Sequence, residues 1–216
     1  MWTYIPNLLT LGRLGLAVVF LLMLLYSPYV PRQALFLDMA FLVFLVAGIS
    51  DVADGLVARR LVATTRFGRM VDPLVDKVLV CGAFICFAII GQPDLFGLPG
   101  PVQFLLRWLV AGILVVREGY VTVIRHTAEA KGINFAATLA GKIKMFTQVL
   151  AIGTVLIKAA HVPTARWGSW FTTIVYVVMV AVTVISGLMA ARRVKAVSPE
   201  GSTPKAPPTD AGTKPA

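Results

Sequence analysis

Four carboxylates stand out in this chain: Asp51 and Asp54, then Asp72 and Asp76, all set among long apolar segments. An acid near hydrocarbon is costly unless it pairs, faces water or binds a cation, so such residues mark chemistry by default. If the segments are helical, residues three and four apart share a face. Asp51, Asp54, Gly55 and Ala58 then line one stripe, and Gly68, Asp72 and Asp76 line a second. Two acidic stripes joined by a short loop can face each other as a cage of oxygen ligands. With no Cys or His among them, the donors suit hard cations such as Mg²⁺, Mn²⁺ or Ca²⁺ rather than zinc. Gly55, Ala58 and Gly68 lack bulk and let a ligand approach the helix backbone, although small residues also suit tight helix packing. Arg59 and Arg66 supply donors suited to phosphate. Ion pairing with the aspartates, or contact of Arg60 and Arg69 with anionic headgroups, is the other use for this basic cluster.

The elements that must position these residues follow from composition. Of 216 residues 58% are hydrophobic and 14% charged, and mean hydropathy is +0.83, far too apolar for an ordinary soluble domain. A spanning helix needs about 20 mostly apolar residues. Six such stretches occur, near 8 to 29, 34 to 58, 73 to 91, 104 to 126, 142 to 158 and 168 to 191. The expected fold is an all-α membrane protein, a single six-helix catalytic domain over residues 1–195. Pro73 fits this scheme if it lies in the first turn of helix three, where its missing N–H has no helical partner. The first stretch lacks a basic flank and a small-residue cleavage pattern before Ser27, and reads as a retained helix rather than a signal peptide. Trp2 and Tyr4 suit an aromatic anchor at headgroup level. From Ser198 to Ala216 no periodic apolar residue remains, which predicts a disordered tail over 196–216. Cys81 and Cys86, five apart, fall on different faces of helix three and read as small lipid- or core-facing residues.

The formal charge of +10 does not point to nucleic acid, because the basic residues interrupt hydrophobic helices and show no aromatic-interleaved binding motif. Their placement reports topology. Basic residues follow helices two, four and six, whereas the opposite loops hold little beyond Arg32, Lys158 and Arg166. By the positive-inside rule, both termini and the acidic motif face the cytoplasm of a multi-pass protein of the cell membrane. The turn-rich loop 92–101 is expected on the other side, away from the chemistry.

The pattern D-x2-D-G-x2-A-R-x8-G-x3-D-x3-D, from Asp51 to Asp76, resembles the signature of the CDP-alcohol phosphotransferase family at every defined position. The resemblance implies a six-helix membrane fold, often dimeric, that transfers a phosphatidyl or related group from a CDP-linked donor to an alcohol and releases CMP. Carried over by position, it implies that Asp51, Asp54 and Asp72 hold divalent metal. Asp76 would contact a second metal and act as general base. Gly55, Ala58, Arg59 and Gly68 would line the cytidine diphosphate site, with Arg59 on phosphate oxygens. Two Mg²⁺ or Mn²⁺ ions, CDP-diacylglycerol and membrane lipids are the cofactors and partners implied.

Outside the signature, three stretches are similar to the phosphatidylglycerophosphate synthase branch: 6–13, Arg117-Glu118 with Arg125, and Gly141 to Lys144 with Thr147 and Gln148. Met145 departs from the threonine expected there. That branch implies sn-glycerol 3-phosphate as acceptor, and an acceptor bearing phosphate needs cations beyond those serving the donor. Arg117, Arg125, Lys142 and Lys144 are available. For Arg117 the alternative is an ion pair with Glu118; for Lys142, Lys144 and Arg13 it is snorkelling to the interface. His126 and His161 show no ligand spacing. The same signature also serves enzymes acting on inositol phosphate, serine, choline or phosphatidylglycerol, a cardiolipin synthase included. Membrane prenyltransferases space their acids differently. A divalent-cation transporter would need polar residues through the midplane, where helices three, five and six carry almost none.

Overall fold

The computed structural model describes residues 5–61, 66–95, 98–130 and 139–197, with side chains at 11–50, 75–95, 98–125, 127 and 141–192. Trp2, Tyr4 and the tail 198–216 lie outside the described residues. Six helices form where the six apolar stretches lie: α1 Ile5–Tyr26, α2 Gln33–Leu61, α3 Arg66–Ile90, α4 Gly100–Ala130, α5 Leu139–His161 and α6 Arg166–Val197. At about 1.5 Å per residue each exceeds the ~30 Å hydrocarbon thickness of a bilayer. Among the described residues α1, α2, α5 and α6 are apolar enough to cross a membrane by length and composition. Helices α3 and α4 interrupt their apolar runs with Asp76 and Lys77, and with Arg107, Arg117 and Glu118.

The helices pack in the closed order α1, α2, α5, α6, α4, α3 and back to α1, with α3 also touching α5 across the ring. Short connections alternate the helix directions. One end of the bundle therefore gathers the C-terminal halves of α2, α4 and α6 with the N-terminal halves of α1, α3 and α5. The core between them is apolar: Phe20 lies 5.2 Å from Phe44, and Phe84 meets Tyr176 edge-on at 5.6 Å. Leucine, valine, tryptophan and phenylalanine side chains such as Leu105, Val116, Phe146 and Trp167 remain exposed on the outside, as lipid-facing surface requires. Buried polar groups sit inside, among them Arg13, Gln103, Glu118, Lys144, Gln148 and Lys158. That distribution is what an integral membrane protein needs.

Where α1 packs on α3, the Leu21 side chain lies against Gly82, and a Cβ there would sit 2.7 Å from Leu21 Cδ1. At the end of α3, Gly91 adopts φ +76°, and the Gln92 N–H donates back to Phe87 O at 2.9 Å. This glycine stop with its 6→1 bond satisfies an end carbonyl. Pro73 departs from the sequence expectation: it is the eighth residue of α3, beyond the first turn. The helix has started upstream at Arg66, so the missing N–H leaves the carbonyl four residues back, on Arg69, without a helical donor.

The loop end opposite the acidic motif carries its own buried polar network. Gln103 Nε2 donates to Asp94 Oδ1 at 2.8 Å and to Leu98 O at 2.9 Å, and Arg107 Nε donates to Pro93 O at 3.0 Å. Lys158, expected in a loop, instead belongs to α5, is 4% exposed and donates to Asp94 O at 2.7 Å. His161 pairs with Asp38 at 2.8 Å on the exposed rim. The bonds of Gln103, Arg107 and Lys158 tie the 92–101 connection to the bundle, and the His161–Asp38 pair joins α5 to α2.

Candidate functional site

The acidic motif falls on helices throughout. Asp51, Asp54, Gly55, Ala58 and Arg59 lie in the last turns of α2, and Gly68, Asp72 and Asp76 in the first turns of α3. Helical backbone at these positions puts Asp51 with Asp54, and Asp72 with Asp76, on one face of each helix. The side chains of all but Asp76 lie outside the described residues. As a donor set, four carboxylates at steps of three and four, free of sulfur and imidazole, fit a hard divalent cation.

From Asp76 the described side chains lead directly into a cationic cluster. Lys77, its neighbour, donates from Nζ to Thr122 Oγ1 on α4. Thr122 Oγ1 in turn donates to Glu118 O, one turn earlier on the same helix. Lys77 lies in the electrostatic field of Glu118, Arg125, Lys144 and Asp76. Three helices thereby bring their ionic residues to one place.

Glu118 is the centre of that place. Its Oε1 accepts from Arg117 Nη1 at 2.9 Å and from Lys144 Nζ at 2.5 Å, and the Lys144 side chain is only 7% exposed. Two cations thus converge on one carboxylate oxygen, leaving one unit of positive charge uncompensated by Glu118. A buried charge in excess of its partner is expensive to hold. A dianionic or monoanionic phosphate arriving beside it removes that cost. On the far side, Arg117 Nη2 donates to Ser186 Oγ of α6 at 2.8 Å. Among the described residues the Arg117 Nε is buried without a partner, as is Nε2 of Gln148, which lies one turn along α5 from Lys144.

The cations expected from sequence divide into two groups. Arg117 and Lys144 turn inward onto Glu118, whereas Arg125 and Lys142 are exposed. Lys142 and Lys144 are about 200° apart around a helix, so only one of them can face the bundle. Met145, the departure from the branch pattern, is 41% exposed. Arg13 is 4% exposed, which removes the snorkelling alternative for it. Thr122, Lys77, Ser186 and the hub role of Glu118 were not legible as site features. The only signal was a charged or hydroxyl residue within an apolar helix, which does not say which neighbour it meets.

The chain is similar to several known proteins. A family model described as CDP-alcohol phosphatidyltransferase matches residues 3–185. A "Probable phosphatidylglycerophosphate synthase" of Mycobacterium tuberculosis is 36% identical over 149 residues, covering 69% of this chain. The chain spans 64% of that relative's length. A "CDP-diacylglycerol--glycerol-3-phosphate 3-phosphatidyltransferase" of Bacillus subtilis is 31% identical over 194 residues, covering 85% of this chain and 91% of its own. The protein of that name from Escherichia coli K12 is 33% identical over 161 residues, covering 70% and 76%.

Proposed function

Because the chain belongs to the CDP-alcohol phosphatidyltransferase family, we propose that it transfers the phosphatidyl group of CDP-diacylglycerol to sn-glycerol 3-phosphate, giving phosphatidylglycerophosphate and CMP. The observation that carries the choice of acceptor is the pair Arg117 and Lys144 on a single Glu118 oxygen, in a cluster that Lys77, the neighbour of Asp76, joins through Thr122. An uncharged alcohol has no use for the surplus positive charge. An acceptor with a phosphate does, and the Bacillus subtilis and Escherichia coli relatives carry glycerol 3-phosphate in their names.

On this reading Asp51, Asp54, Asp72 and Asp76 would hold two Mg²⁺ or Mn²⁺ ions, whose charge neutralises the donor diphosphate and improves CMP as leaving group. Gly55, Ala58 and Gly68 admit the cytidine diphosphate close to the helix backbone, and Arg59 donates to its phosphate oxygens. Arg117 and Lys144 orient the acceptor phosphate, with Arg125 and Lys142 drawing it in from the aqueous rim. Asp76 takes the proton of the primary hydroxyl as that oxygen bonds to the lipid-linked phosphorus and the bridging P–O bond to CMP breaks. The basic residues beside helices α2, α4 and α6 support a cytoplasmic motif end and cytoplasmic termini. Residues 1–195 form the catalytic domain, which works as a homodimer in the cell membrane, and 196–216 a disordered tail.

The test is reconstitution in vesicles with CDP-diacylglycerol, Mg²⁺ or Mn²⁺ and single acceptors, following CMP and lipid product. Product from phosphatidylglycerol or inositol phosphate, and none from glycerol 3-phosphate, overturns the assignment of acceptor. Asp76→Asn is expected to lower kcat by at least about 100-fold, the usual span for a general base. Full activity in that variant removes Asp76 from its role.

A further inference from the structure

Helix α6 contributes no residue to the signature, to the acidic motif or to the cations considered for the acceptor. We infer that Ser186 and Gly187 of α6 are positioning residues that set Arg117 for the acceptor phosphate; the inference rests on the acceptor reading above.

Three observations meet at this point of the bundle. First, Arg117 Nη2 donates to Ser186 Oγ at 2.8 Å, while Ser186 Oγ gives its own proton to Thr183 O at 3.0 Å. A hydroxyl has one proton to give, so with that proton committed to the helix backbone, Ser186 can only accept from the guanidinium. Its orientation is fixed by the helix, and Ser186 is 5% exposed. Second, a Cβ at Gly187 would lie 3.1 Å from Arg117 Cγ and 3.8 Å from Nε. The arginine stem therefore runs across the bare backbone of α6, in space that any larger residue would occupy. Third, Nη1 is held from the other side by Glu118 at 2.9 Å.

Both terminal nitrogens are thus anchored from opposite sides, on α4 and on α6, and the stem is seated between them. Three of the five guanidinium N–H donors remain, one on each terminal nitrogen and that of Nε, which is buried without a partner among the described residues. A planar fork locked in this way presents its remaining donors in a fixed direction, so little rotamer freedom is lost when an anion binds. Without the α6 seat, Arg117 keeps its charge and its pairing with Glu118 but gains the freedom to swing. The seat acts through Arg117 and touches neither substrate.

The experiment uses the full chain in vesicles and measures KM for glycerol 3-phosphate and for CDP-diacylglycerol in Ser186→Ala, Gly187→Ala, Ser186→Thr and Arg117→Ala, and in the double variant of Ser186→Ala with Arg117→Ala. Losing one charge-assisted hydrogen bond predicts a rise of about tenfold in glycerol 3-phosphate KM for Ser186→Ala. Gly187→Ala is expected to raise the same constant several-fold, about three to ten, through the displaced stem. Both leave the KM for CDP-diacylglycerol within about twofold, and Ser186→Thr, which keeps the hydroxyl, restores most of the loss. In the Arg117→Ala background the Ser186 substitution has no further effect, since residues that act as a unit are not additive. The inference is overturned if Arg117→Ala raises the acceptor KM and neither α6 variant does, if the Ser186 effect persists without Arg117, or if donor and acceptor constants move together. A parent protein that turns over another alcohol but not glycerol 3-phosphate fails at the earlier step: the acceptor reading falls, and with it the inference.

Discussion

Replacing Glu118 by glutamine keeps the shape of the side chain and removes the charge that two cations share. Lys144 loses a partner at 2.5 Å and Arg117 one at 2.9 Å, with side-chain exposures of 7% and 12%. Both lie well below the level at which solvent screening would make such a pair negligible. Breaking a buried ion pair from one side costs about 3–5 kcal/mol, because the other charge stays buried without compensation. The glutamine carbonyl can still accept from one cation, and Arg117 retains Ser186, so the lower end, about 3 kcal/mol, is expected. For a chain of this length 1 kcal/mol moves the thermal midpoint by about 2–4 °C, and Glu118→Gln should therefore unfold about 6–12 °C earlier. Fluorescence-monitored melting in detergent, with the parent and variant side by side, reads this directly. A second variant separates stability from function. Adding Lys144→Met removes the lysine charge that Glu118→Gln leaves buried without compensation, which is the main source of the cost. The double variant should regain most of the lost midpoint, while its KM for glycerol 3-phosphate stays at least tenfold above the parent. A midpoint and KM both unchanged in Glu118→Gln would refute the idea that this carboxylate organises the cluster. Full recovery of activity in the double variant would refute the role of Lys144.

Two further outcomes follow from the same geometry. Chelation of divalent cations should abolish CMP release, and Mg²⁺ or Mn²⁺ added back should restore it; turnover that persists at full rate after chelation removes the metal role of the four aspartates. Gln148 is 1% exposed with Nε2 unpartnered, and an unsatisfied buried donor costs about 1–3 kcal/mol, so Gln148→Leu should raise or preserve the thermal midpoint. A clear drop in that midpoint would show that the amide is satisfied.

Much of the fold can be read from the order of residues because the bilayer restricts the choices. Any long apolar stretch must satisfy its own backbone, and a helix does so within the segment. The six stretches accordingly appear as six helices, with edges shifted by up to seven residues at the start of α3 and by three in α5, which runs to His161 rather than 158. Pro73 was misplaced within its helix because the charged residues that open α3 carry no apolar period to announce it. Buried polar side chains of α5 and α6 are held within the bundle. Lys158 is held by a main-chain carbonyl, and Thr172 and Ser186 give their protons to their own helix backbone, so the bundle hides polarity that composition counts as expensive.

The sequence by itself determined the helical class, the faces shared by Asp51 with Asp54 and by Asp72 with Asp76, and, through alternation of short-connected helices, the end of the bundle where the ionic residues gather. Those follow from periodicity and from chain connectivity, which are local. Only the tertiary structure decided how each helix is rotated about its own axis. That rotation turns Lys144 inward and leaves Lys142 exposed, brings Arg117 and Lys144 to the same oxygen of Glu118, and lays the Arg117 stem on Gly187. Periodicity fixes which residues share a face; packing against the neighbouring helices fixes where that face points.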